Sequence, residues 1–173
     1  EADSRRFAYG EFDAAVNRTA NLLKSNDIKK GDVVSLLMPN SAEYIIAYFA
    51  CFKIGALAGP VNSLLKAEEI AYVVNNSESK LILVDKEFSE MMALKSEPGA
   101  VATGLSFPRV LKFDNVDAAT KDQSDDLDVI ELSANDDAII IYTSGTTGKP
   151  KGCLLTHGNI IAEIEMLSTR SIR

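Results

Sequence analysis

The sequence predicts an α/β domain, a mostly parallel sheet flanked by helices on both faces. Short apolar runs of strand length alternate with segments of helical period. Glycine, proline and asparagine punctuate the joints between them. Several of the runs, such as 33–38 and 81–84, are apolar without a break, as expected of strands covered on both sides rather than on one.

Residues 11–26 place Phe12, Val16, Thr19/Ala20 and Leu23 at helical spacing among polar residues, which reads as a surface helix. Gly31-Asp32 turns the chain into the first strand, Val33–Met38, and Pro39-Asn40 ends it. Asn40 with Glu43 three residues on has the form of a capping box opening a helix over 41–54. That helix is apolar on most sides, so it is expected to be buried, with Tyr44, Tyr48, Phe49 and Phe52 in the core. Gly55 closes it in the manner of a C′ glycine. A strand over 56–61, a helix over 67–75 with Ile70, Val73 and Val74 inward, a strand at 81–84 and a helix over 85–94 follow. Met91-Met92 are read as filling a gap.

Residues 96–128 form an irregular acidic segment, rich in turn residues, with one strand candidate at 109–113. Its acidic part reads as a solvated surface loop. A strand at 138–142, a short apolar strand at 153–155 and a helix over 158–168, with Ile160, Ile161, Ile164 and Leu167 inward, complete the chain. In open sheets of this kind ligands sit outside the carboxyl ends of the strands.

Composition narrows the function. A net charge of −7 argues against a nucleic-acid or anionic-membrane partner. Two cysteines, Cys51 and Cys153, and one histidine leave no Cys/His metal spacing, so no protein metal site is expected. A reduced, cytoplasmic chain is the simpler expectation. The longest apolar stretch, 44–60, is broken by Lys53, Gly55 and Gly59, and no transmembrane segment is expected. Asp136-Asp137 read as capping or solvating the entry to the fifth strand, Cys153 as a small core residue, and His157 as packing at a helix start rather than catalysis.

The segment between the last two strands carries the chemistry. Residues 143–152, Thr-Ser-Gly-Thr-Thr-Gly-Lys-Pro-Lys-Gly, hold three glycines, four hydroxyls and two lysines with no acid among them. Glycines let backbone N–H groups close on an oxyanion, hydroxyls add donors, and lysines add charge. A hairpin turn is the plainer reading, but a turn needs two to five such residues and no paired cations. A polyphosphate cradle accounts for more of the segment. The Walker pattern is excluded, because Gly145 and Gly148 are two residues apart and Pro150 stands where its hydroxyl should be. The dinucleotide and kinase glycine patterns fail as well.

Tyr142 to Gly152, with Thr156-His157-Gly158-Asn159 behind it, resembles the signature of the AMP-forming adenylating enzymes: acyl-CoA synthetases, peptide-synthetase adenylation domains and firefly-type luciferases. The similarity extends through 7–23, 31–40, Lys53-Ile-Gly-Ala and Pro60-Val-Asn62. Asn62, followed by Glu68-Glu69-Ile70-Ala71-Tyr72, is more like fatty-acid, aryl or carnitine-type CoA ligases. Lys66 departs from the usual Thr or Ser. The resemblance implies ATP-dependent activation of a small-molecule carboxylic acid to an acyl-adenylate, then transfer to CoA. ATP, Mg2+ and CoA take part in that reaction. It assigns Thr143, Ser144, Gly145, Thr146, Thr147, Gly148, Lys149 and Lys151 to the β- and γ-phosphates of ATP and places no catalytic residue in this chain.

The family's later motifs are missing. Residues 1–173 are therefore expected to be the N-terminal portion of the large adenylating domain, truncated at both ends, inactive alone, and prone to self-association through exposed apolar surface. The front of a peptide-synthetase domain or of a luciferase, and a stand-alone nucleotide-binding module, are the alternatives.

Overall fold

A computed structural model describes residues 5–95, 107–143 and 149–170, with backbone only for 91–95 and 170. Among these, the strands are β1 (Val33–Leu37), β2 (Leu57–Pro60), β3 (Leu81–Val84), β4 (Arg109–Lys112), β5 (Asp137–Thr143) and β6 (Lys151–Thr156). The helices are α1 (Tyr9–Ser25), α2 (Ala42–Lys53), α3 (Ala67–Asn76), α4 (Lys86–Lys95), the single turn α5 (Val116–Ala119) and α6 (His157–Arg170). One sheet runs in the order β4-β3-β1-β2-β5-β6. Its first five strands are mutually parallel, and β6 returns antiparallel along β5. The expected α/β architecture is the observed one.

Alternate side chains of the central strands enter two cores. Val34 and Leu36 of β1, with Leu81 and Leu83 of β3, meet Val16, Ala20 and Leu23 of α1 and Ile46, Ala47 and Ala50 of α2. Leu37, Ile82 and Val84 turn to the other face and meet Ile70, Val73 and Val74 of α3 and Phe88 of α4. All five residues of β1 are buried, which is why the run carries no polar alternation. The exception inside it, Ser35, spends its hydroxyl on Ser79 at 2.6 Å, and Ser79 is bonded in turn to Ser77 at 2.8 Å. That buried chain of hydroxyls avoids the cost of an unpaired polar group.

Gly55 follows the Ile54 C-cap at φ +65°. A Cβ there would come within 2.9 Å of both Leu132 Cδ2 and Lys30 Cγ, so glycine is required twice over.

Several expectations are corrected. The cap of α2 is Ser41, not Asn40: Ser41 Oγ accepts from the Tyr44 N–H at 3.2 Å. Glu43 takes no part in a box. It is only 3% exposed and accepts from the Arg5 guanidinium and from the Val116 N–H at 3.3 Å. Those partners lie 38 and 73 residues away, beyond any local rule.

Nor is α2 buried all round. Ile45 and Phe49 are each 46% exposed, while Tyr44, Tyr48 and Phe52 pack against the core as expected, in an edge-to-face row. Within 96–128, β4 lies where the strand was expected, and the acidic stretch after it lies at the surface as expected, though it is anchored at several points. Phe113, Val116 and Thr120 are buried. Asn17 and Asn21 of α1 donate to the carbonyls of Asp125, Ser124 and Asp126 at 2.8–2.9 Å. The aspartate side chains stay solvated, as at Asp117 and Asp128, while the backbone is tied to α1. The Met91-Met92 side chains lie outside the described set.

The last helix also differs. Ile161, Ile164 and Leu167, expected inward, are 52–60% exposed, and Leu154 of β6 is 50% exposed. Cys153, expected in the core, is exposed on the same edge strand. The apolar period along α6 is real, but no described residue covers that face.

Burial alone would favour the neutral acid at Glu43. Hydrogen bonds from Arg5, from its own amide and from Val116, with the Arg5 charge, outweigh it and hold the pKa below the ordinary value of 4.5. A carboxyl lowered on folding stabilises the fold at neutral pH, and that contribution is lost as pH falls from about 4.5 through the depressed pKa. Melting temperatures measured from pH 7 downward are expected to show Glu43→Gln less stable than wild type at neutrality and less sensitive to acid. Parallel curves would contradict this.

Candidate functional site

β5 and β6 form a hairpin whose tip lies at the carboxyl edge of the parallel strands, where the sheet topology places ligands. Thr143 is paired with Lys151, Tyr142 with Gly152 and Ile141 with Cys153. The structure brings Thr143, Lys149 and Lys151 together on the two rims of the tip, all three exposed. Ser144, Gly145, Thr146, Thr147 and Gly148 lie outside the described residues. Neither lysine has a carboxylate partner among the described residues, although nine other ion pairs are formed there. In a chain of net charge −7, two uncompensated ammonium groups beside a hydroxyl make a local anion-attracting spot.

The glycine at 152 has a steric cause. A Cβ there would stand 3.1 Å from Ile140 Cδ1 and 3.2 Å from Tyr142 Cζ. With hydrogen in that place, Tyr142 lies across the hairpin, and its hydroxyl donates to Asn76 Oδ1 of α3 at 2.8 Å. Burial, with Tyr72 close by, raises the Tyr142 phenol above its ordinary pKa, so it remains a donor at neutral pH. On the other rim Tyr72 donates to the Pro150 carbonyl at 3.4 Å, and the Lys149 ammonium sits 5.4 Å from the Tyr72 ring centre. Sequence reasoning missed Tyr72 and Asn76. Their signal was a one-turn spacing on α3, outside its apolar set.

The four residues behind the hairpin are structural. The Thr156 N–H donates to Asn159 Oδ1 at 2.9 Å, and the Asn159 N–H donates to Thr156 Oγ1 at 3.2 Å, a reciprocal cap for α6. The Gly158 N–H donates to the Ala134 carbonyl at 2.8 Å, and a Cβ would press on that same oxygen. His157 packs edge-on against Phe52, ring centres 5.6 Å apart. Its Nε2 is buried with no partner among the described residues. That is the packing role expected of it. Asp136 caps the turn before β5 by accepting from the Ser133 N–H at 2.7 Å, and it pairs with Lys30 at 2.6 Å. The Lys30 hydrogen bond comes first among the causes that lower its pKa.

A second positive region exists. Arg5, Arg6 and Arg18 line a cavity of about 470 Å3 near the start of α1. Arg5 is paired with Glu43 and Arg18 with Asp117, and Glu11 shares the lining, so most of its charge is already compensated. Among the described residues no helix is long and apolar enough to cross a membrane. No three His, Cys, Asp or Glu side chains converge there to hold a metal ion.

Sheet order, helices on both faces and a Gly/Ser/Thr/Lys hairpin at the carboxyl edge define an α/β domain of the acyl-CoA synthetase type. A profile of the AMP-binding enzyme family matches residues 2–172, and the chain belongs to that family. It is 33% identical over 159 residues to the long-chain-fatty-acid–CoA ligase FadD13 of Mycobacterium tuberculosis, covering 90% of this chain and 30% of the relative. It is 35% identical over 163 residues to a crotonobetaine/carnitine–CoA ligase of Salmonella paratyphi B, covering 90% and 32%. The crystal structure of the N-terminal domain of FACL13 from Mycobacterium tuberculosis superposes with a TM-score of 0.76 at 32% identity, over 88% of this chain and 38% of that one. ATP-bound MatB from Rhodopseudomonas palustris gives 0.76 at 28% identity, over 92% and 31%. The chain thus spans about a third of the length of the curated relatives it matches.

Proposed function

We propose that residues 1–173 are the N-terminal portion of the adenylating domain of an ATP-dependent acyl-CoA ligase, and that their hairpin holds the β- and γ-phosphates of ATP. The observation that carries this reading is the pairing of Thr143 with Lys151. It sets a hydroxyl at the end of one strand opposite an ammonium group at the start of the next, with Lys149 two residues before, and neither lysine has a carboxylate partner among the described residues. Family membership and relatives named as CoA ligases support it.

In the proposed reaction a carboxylate oxygen attacks the α-phosphorus, pyrophosphate leaves, and the CoA thiolate displaces AMP to give the thioester. Lys149 and Lys151 would offset charge growing on the departing pyrophosphate, and Thr143, Ser144, Thr146 and Thr147 would donate to it. Gly145 and Gly148 would let the backbone approach. Mg2+ would supply further charge neutralisation of the departing pyrophosphate alongside the hairpin. The free thiols of Cys51 and Cys153, the latter exposed, support a cytoplasmic location.

Calorimetric titration with ATP tests the site. Wild type is expected to bind weakly, near ~1 mM or about 4 kcal/mol, in the absence of adenine and ribose contacts. Lys151→Ala is expected to bind at least about tenfold more weakly, as the loss of a charged hydrogen bond implies. Equal affinities would remove Lys151 from the site, and pyrophosphate exchange by this chain alone would contradict its expected inactivity. Self-association through a second copy is also proposed, from the exposed Leu154, Ile161, Ile164 and Leu167. Light scattering should report masses above 18.7 kDa that rise with concentration, and a constant monomer would refute it.

A further inference from the structure

Helix α3 has two sides with different work. Ile70, Val73 and Val74, each no more than 2% exposed, fix it to the sheet. Tyr72, which also packs partly against that core, and Asn76, one turn on and exposed, reach opposite rims of the hairpin. Asn76 Oδ1 receives the Tyr142 hydroxyl at 2.8 Å on the outgoing strand. The Tyr72 hydroxyl reaches the Pro150 carbonyl at 3.4 Å on the returning one, and its ring faces the Lys149 ammonium at 5.4 Å. Pro150 has no N–H, so its carbonyl is its only backbone group for a hydrogen bond. Beyond these contacts the hairpin joins the sheet through β5, paired with β2 at Ala58–Ile139 below the tip, while β6 is an edge strand exposed from Lys151 to Leu154.

We infer that Tyr72 and Asn76 are positioning residues for polyphosphate binding: they anchor both rims of the hairpin to α3 and hold Thr143, Lys149 and Lys151 in register before a phosphate arrives. This rests on the phosphate reading of the hairpin. The physical basis is preorganisation. Two rims fixed to a rigid helix lose less freedom on binding than a free two-stranded ribbon would. An exposed ammonium over an aromatic face is held only weakly, so Lys149 is oriented without being withdrawn from an anion.

The test titrates the 173-residue chain with inorganic pyrophosphate and follows tryptic cleavage of the Lys151–Gly152 bond with and without it. Tyr72→Leu and Asn76→Ala are each expected to weaken binding about two- to tenfold, the range of a lost neutral hydrogen bond. Both should also speed cleavage and abolish protection by pyrophosphate, with the melting temperature little changed. Tyr72→Phe, which keeps the ring, should recover part of the affinity. If both Tyr72→Leu and Asn76→Ala bind like wild type while Lys151→Ala does not, the anchor is wrong and the phosphate reading stands. If Tyr72→Leu melts lower but binds unchanged, the residue is merely structural and the inference fails. Should Tyr72→Leu not fold, Tyr72→Phe and Asn76→Ala decide, and wild-type affinity and cleavage in both overturn it. If wild type itself fails to bind pyrophosphate, the phosphate reading falls and takes the inference with it.

Discussion

Burial of β1 and β3 on both faces is the constraint from which the remaining geometry follows. Val34, Leu36, Leu81 and Leu83 must meet α1 and α2, while Leu37, Ile82 and Val84 must meet α3 and α4. Once both layers are packed, five parallel strands end on one edge, and β5 delivers Thr143 to it. The same packing fixes the rotation of α3. With Ile70, Val73 and Val74 against the sheet, Tyr72 and Asn76 are left facing the hairpin. The core decides where the cations can be.

Charge then decides what the edge can attract. Most basic side chains for which contacts are described are engaged: Lys30 with Asp136, Lys53 with Asp13, Lys80 with Asp32, Arg5 with Glu43. Lys29, Lys66, Lys149 and Lys151 have no ion pair among the described residues, and of these Lys149 lies over a tyrosine ring and Lys151 at the end of an antiparallel pair at the hairpin tip. An acidic protein with two unpaired lysines next in sequence to glycines and hydroxyls gives a diffuse repulsion for polyanions and a short-range attraction at that place. The arginine cavity near α1 lacks that contrast, because carboxylates already sit within it.

Much of this was legible in the residues. Unbroken apolar runs announced doubly covered strands, Gly55 its positive φ, and the composition of 143–152 its chemistry. What was not legible depended on distance. Ser41 rather than Asn40 is the cap, and Glu43 is held instead by Arg5 and Val116, far off in sequence. The anchoring of the acidic surface stretch to α1 was not legible, because it rests on asparagines of α1 donating to backbone carbonyls, which leave no compositional trace. Cys153 and the apolar side of α6 were assigned to a core because periodicity reports that a face is apolar, not what covers it. Tyr72 and Asn76 were passed over because a polar pair on a short helix is ordinarily just its solvated side.

The central claim is that polyphosphate is held at the β5–β6 hairpin. The most direct measurement is an amide-resolved NMR titration of the chain with ATP. The largest shifts are expected at the amides of Thr143, Lys149, Lys151 and Gly152, with Ser144 to Gly148 moving alongside them. Shifts centred instead on Arg5, Arg6 and Arg18, with the hairpin amides unmoved, would contradict it.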